Sequence, residues 1–201
     1  MLKVGLTGSI AVGKSFVLEV FRELGCRVLD ADLTAREVVQ PGTAGLAKIV
    51  EQFGEDVLTE GRSLDRAKLG SIIFADEGKR LLLNSIVHPL VFERQDAWLR
   101  EQERLYPDGI AIVDAALMIE SGGYRRFEKL VVVWCRPEIQ LERLMRRDGL
   151  LLDEAARRIA AQMPQEEKKK FADLLIDASD GFEAARERTV KVFEQLKADA
   201  R

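Results

Sequence analysis

The segment LKVGLTGSIAVGKS, residues 2 to 15, restricts the chain to few folds. A short apolar run leads into Gly8-Ser9-Ile10-Ala11-Val12-Gly13-Lys14-Ser15, which fits the pattern G-x-x-x-x-G-K-[ST]. Behind it, Phe16, Val17, Val20, Phe21 and Leu24 form one apolar stripe at helical spacing, and Gly25 stands where a glycine closes a helix. Strand, glycine-rich loop and helix in that order are the context a phosphate-binding loop requires. Successive backbone N–H groups turn toward phosphate oxygens, which glycine dihedrals permit, and the following helix adds its unpaired N-terminal N–H groups. The phosphates of a nucleotide are therefore expected against Gly8, Ala11, Val12, Gly13, Lys14, Ser15 and Phe16. Lys14 is expected to reach the β- and γ-phosphates, and the Ser15 hydroxyl to ligate Mg²⁺.

Further apolar runs at Cys26–Asp30, Ile110–Asp114, Leu130–Trp134 and Leu174–Ile176 are continuous rather than alternating. Strands of that kind are covered on both faces, as in a parallel sheet flanked by helices. The expected fold is a single domain over residues 1–201, a three-layer α/β/α phosphate-loop NTPase fold with five parallel strands. Residues 33–107 read as a helical insertion, with Gly54 ending one helix, Asp76 capping the next and Pro89 opening another. The Tyr106-Pro107-Asp108-Gly109 turn feeds the third strand. Residues 137–170 read as a second helical insertion, broken at Asp148-Gly149, and 182–197 as an amphipathic tail helix.

A phosphate loop does not name a reaction. Guanine-specific switches read their base with Asn-Lys-x-Asp, whereas the one asparagine here, Asn84, precedes serine. A kinase needs a carboxylate to orient the accepting hydroxyl and take its proton. Asp30 and Asp32 end the second strand, where parallel strands open onto the ligand crevice, and either suits that role; Asp32 equally suits a helix cap. Asp114 ends the third strand, as a metal-supporting acid or as a turn cap. Arg143, Arg146 and Arg147 share one helix face, with Arg157 and Arg158 beyond the break. They suit either a lid that closes on phosphates or a salt-bridged hairpin, since five acids are interleaved among them. His88, the single histidine, precedes Pro89 and reads as a turn or packing residue.

Taken together, these pieces resemble the dephospho-coenzyme A kinase family, nearly end to end. The loop resembles that family's GxxGSGKS, and Leu29-Asp30-Ala31-Asp32 its DAD motif. Leu83-Asn84-Ser85-Ile86-Val87-His88-Pro89 is similar to LNxxxHP, and Ala116-Leu117-Met118-Ile119-Glu120 to PLLFE with its proline replaced. Gln140 to Asp148 resembles the lid motif QxxRxxxRD, and Arg158 to Gln162 and Ala172 to Asp177 continue the likeness. The resemblance implies transfer of phosphate from ATP to the ribose 3′-hydroxyl of dephospho-CoA. It implies Asp32 as base, Lys14 and the loop on ATP, Arg143 and Arg147 as lid contacts, and Ser15 with Asp114 on Mg²⁺. It implies acceptor binding by the 33–107 insertion, with Asp30, Asp32, His88 and Glu120 on the substrate. Ser9, Ala11, Phe16, Ala116 and Ala178 depart from that pattern, Ala11 and Ser9 replacing glycines and Ala178 an asparagine suited to adenine. Another small-molecule or nucleoside monophosphate kinase, or a non-catalytic nucleotide-binding regulator, are the alternative readings.

Composition sets the surroundings. A net charge of −3 gives no basic field for nucleic acid. The N-terminus lacks a signal-peptide layout and no apolar run is long enough to span a bilayer, so neither a membrane nor export is expected. Cys26 and Cys135 lie beside apolar runs and belong to no CxxC pair, which fits reduced thiols in the cytoplasm. The chain is expected to act as a monomer or weak homo-oligomer.

Overall fold

Five strands carry the frame: β1 (Leu2–Thr7), β2 (Arg27–Asp30), β3 (Ile110–Asp114), β4 (Lys129–Trp134) and β5 (Leu174–Asp177). In the computed structural model, which describes residues 1–200, they form one parallel sheet in the order β2-β3-β1-β4-β5. Successive residues of a strand face opposite sides, yet β3 is buried throughout and β1 at every position except Lys3. Helices therefore cover both faces, giving the three-layer fold that the continuous apolar runs imply. The core joins Val4, Leu6, Ile112, Val131 and Ile176 of the sheet to Val17 and Phe21 of α1 (Lys14–Glu23).

The α1 stripe is the one the sequence displays: Val17, Leu18, Val20 and Phe21 are buried. Its end is set by Gly25, at φ +90°, in the left-handed region. The Gly25 N–H bonds Arg22 O at 2.9 Å and the Cys26 N–H bonds Phe21 O at 3.0 Å, a pairing that satisfies two terminal carbonyls and turns the chain into β2. Cys26 and Cys135 are buried free thiols; burial pushes their pKa values up to about 12 and about 11.

The chain divides into two compact units, residues 1–30 with 99–201 and residues 31–98. The second unit holds α2 (Ala31–Glu37), α3 (Ala44–Phe53), a short 3₁₀ turn, α4 (Arg66–Ala75) and most of α5 (Glu77–Leu105). Val39, Ile49, Val57 and Leu69 form its core. Thr43 caps α3 by accepting from the Leu46 N–H at 3.2 Å, Asp65 caps α4, and Asp76 caps α5 through the Lys79 N–H at 3.0 Å. Two expectations are corrected here. Pro89 opens no helix but lies inside α5. Its missing N–H would have bonded Ser85 O, and both residues are exposed, so water can serve that carbonyl and the helix continues. Asp32 is not a helix cap: β2 passes directly into α2 at Ala31, which places Asp32 within the first helical turn.

The first unit carries the second insertion as three helices rather than two: α6 (Pro137–Asp148), α7 (Leu152–Ala160) and α8 (Gln165–Lys169). Gly149, at φ +65°, makes the break expected after Asp148. α9 (Phe182–Asp199) packs on α1 and β5.

Candidate phosphate-binding site

The loop from Gly8 to Gly13 leaves the C-terminal end of β1, a central strand, and enters α1. Its two outer glycines are needed for different reasons. A Cβ on Gly8 would meet Val133 O of β4 at 2.5 Å, so that position is fixed by close packing. Gly13 has φ +100° and caps α1 without a side-chain bond. Gly13 O accepts from the N–H groups of Phe16 and Val17, so those of Lys14 and Ser15 precede the helical ladder and point off its positive end. No acidic residue lies in that first turn. Ala11 has φ +60°, a left-handed conformation that costs a non-glycine residue roughly 1–2 kcal/mol. The Ser9 hydroxyl is buried without a hydrogen-bond partner.

Charges converge on this loop. The Lys14 ammonium is paired with the Asp114 carboxylate, and both side chains are largely buried. Asp114 stands beside Leu6 of β1 on one side and Asp30 of β2 on the other, so three strand ends bring Lys14, Asp114 and Asp30 to one edge. Ser15 and Asp114 offer hard oxygen donors of the kind Mg²⁺ takes alongside nucleotide phosphates, so the donor set fits that ion. Among the described residues there is no group of three or more His, Cys, Asp or Glu side chains that would hold a metal without such phosphates.

α6 presents Gln140, Arg143 and Leu144 on one face, and that face grips the loop. Arg143 donates to Val12 O at 3.3 Å and to Ala178 O at 2.8 Å, tying the phosphate loop to the β5–α9 connection. That connection is itself built by Asp180, which receives Arg136 at 2.7 Å and Arg188 at 2.6 Å. These two guanidiniums hold the Asp180 carboxyl below the usual carboxylate range. Phe16 packs against Phe182 with ring centroids 4.8 Å apart, beside the same connection.

Arg147 makes a two-pronged contact with Asp148, at 2.7 and 3.1 Å, and Arg158 joins at 2.9 Å, an arrangement that lowers the Asp148 pKa. Glu120 pairs with Lys168 at 2.8 Å and accepts from the Met163 N–H at 3.3 Å. His88 and Asp32 belong to the 31–98 unit, where His88 packs on Phe92.

The sequence reading missed two sets of residues. Lys168, buried, donates to Ala116 O at 2.9 Å and pins the segment after β3 to α8; within a run of three lysines nothing marks it. Gln140 and Gln162 both bond the Ile10 backbone, at 2.8 Å each. They stand inside the quoted motifs, but a neutral amide carries no charge or nucleophile to flag it.

Comparison with known proteins agrees with this geometry. A family model described as Dephospho-CoA kinase matches residues 2–183. The dephospho-CoA kinase of Listeria innocua is 44% identical over 195 residues, covering 96% of each chain. That of Streptomyces avermitilis is 46% identical over 197 residues, covering 98% of this chain and 94% of its own. Among solved structures, the dephospho-CoA kinase from Campylobacter jejuni superposes with a TM-score of 0.72 at 30% identity, covering 99% of this chain and 98% of its own. The chain belongs to the dephospho-CoA kinase family.

Proposed function

We propose that this member of the dephospho-CoA kinase family moves the γ-phosphoryl group of ATP to the ribose 3′-hydroxyl of dephospho-CoA, giving coenzyme A and ADP. The observation that carries the reading is the phosphate loop at the end of β1, with Lys14 held by the strand-end Asp114, in a chain that matches the family over residues 2–183. The loop amides and Lys14 bind the ATP phosphates, and Arg143 supports the loop from α6. The hydroxyl oxygen attacks the γ-phosphorus as the bond to the ADP oxygen breaks, and the hydroxyl proton passes to the Asp32 carboxylate. Ser15 and Asp114 would hold Mg²⁺, which when bound offsets phosphate charge. Residues 33–107 are assigned to the acceptor and 137–170 to the lid, with the whole chain working as one kinase domain.

Among the described residues no helix is long and apolar enough to cross a membrane. The reaction is assigned to the cytoplasm on the two free thiols, Cys26 and Cys135. The test is product analysis after incubation with Mg-ATP and dephospho-CoA. Coenzyme A and ADP should appear in equal amounts, and Lys14→Ala should abolish both. ADP without a new phosphate monoester would overturn the reading.

A further inference from the structure

The 137–170 segment holds the phosphate loop through side chains that the phosphoryl transfer itself leaves without a task. The peptide groups of Ile10 are taken on both sides. Its N–H donates to Gln162 Oε1 at 2.8 Å, and its carbonyl accepts from Gln140 Nε2 at 2.8 Å. Gln140 is fixed in turn, because its Oε1 accepts from Gln165 Nε2 at 2.8 Å. Gln165 Oε1 accepts from the Cys135 N–H, just beyond β4, at 3.0 Å. The direction of this relay is forced. It begins at a backbone donor, Cys135 N–H, and ends at a backbone acceptor, Ile10 O. Flipping either amide alone would set like groups face to face. Gln140 is 2% exposed, so a broken link there leaves buried polar groups without partners.

The residue after Ile10 is Ala11, at φ +60°. L-residues other than glycine avoid that region, and one persists there where its surroundings over-determine it. The two peptide groups flanking Ile10, one tied at its N–H by Gln162 and the other, which precedes Ala11, tied at its carbonyl by Gln140, are such a surrounding. We propose that Gln140 and Gln162 are positioning residues that impose the left-handed turn at Ala11, so that the ATP-binding shape of this loop depends on the glutamines of the lid segment. The proposal rests on the reading that this loop binds ATP phosphates.

The test uses the full chain and the variants Gln162→Ala, Gln140→Met, Ala11→Gly and Gln162→Ala with Ala11→Gly. Mg-ATP is titrated calorimetrically without acceptor, and kcat and both KM values are then measured. Losing one clamp should weaken ATP binding and raise the KM for ATP roughly tenfold, the cost of about one hydrogen bond to a buried group. The KM for dephospho-CoA should stay within about twofold, since a general loss of structure would move both. Ala11→Gly should return the Gln162→Ala variant to near wild-type ATP affinity, because glycine adopts the turn unaided. Gln162 is only half-buried, so its variant carries the test even where Gln140→Met fails to fold. Unchanged ATP binding in Gln162→Ala, or a double variant as weak as the single, overturns the proposal. A wild-type chain that binds no Mg-ATP in the same titration fells the functional reading, and the proposal with it.

Discussion

Asp30 and Asp32 bracket a buried alanine, and the backbone gives them different places. Asp30 ends β2 in register with Asp114, the partner of Lys14. Asp32 is exposed in the first turn of α2. With Asp32 as base, Asp32→Asn should lower kcat by roughly two to four decades and leave calorimetric ATP binding nearly unchanged. Should Asp30→Asn produce that pattern instead, the roles are reversed. Charge singles out Lys14 and Asp114 in the sequence and backbone freedom singles out Gly13, but the pairing of Lys14 with Asp114 was not read. Gly8 was legible as a glycine but not for its reason, since close approach to Val133 O depends on β4, far along the chain. Gln140 and Gln162 were not legible as loop supports, because an amide acquires meaning only from what it faces.

The elements divide in the same way. α1 and its Gly25 terminus follow from local spacing and local dihedral need, so they could be read directly. α5 could not: proline argues for a break, and the exposure of Ser85 and Pro89 that lets the helix run on is a tertiary fact. The arginines of α6 and α7 likewise split by partner, Arg143 to the loop and Arg147 and Arg158 to Asp148. α5 also carries a pH dependence. Burial lowers the His88 pKa from its ordinary 6.5, so the imidazole is neutral in the folded chain at pH 7. Protonation then favours the unfolded state. The stability tied to His88 should be whole above about pH 6.5 and decline as the pH falls through and below that value. Thermal unfolding from pH 8 to 5, wild type against His88→Gln, checks this. The wild type should lose more on the acid side, and parallel curves would remove His88 as the cause.

At the scale of the whole molecule, the strands were legible but their order was not. Continuous apolar runs announce a two-sided sheet. Nothing local announces β2-β3-β1-β4-β5, in which the long excursion between β2 and β3 returns to pair those strands with each other. That order sets β1 and its loop between β3 and β4, so that Asp114 flanks one side and the segment after β4 supplies the relay to Ile10 on the other. Fold and loop geometry support the proposed phosphoryl donor site, and the acceptor is the part of the account most exposed to test. The most direct measurement is the rate of ADP release from Mg-ATP with no acceptor, with AMP, with adenosine and with dephospho-CoA. Strong stimulation by dephospho-CoA alone is the predicted result. Equal or greater stimulation by AMP or adenosine, or none by any of them, would contradict the account.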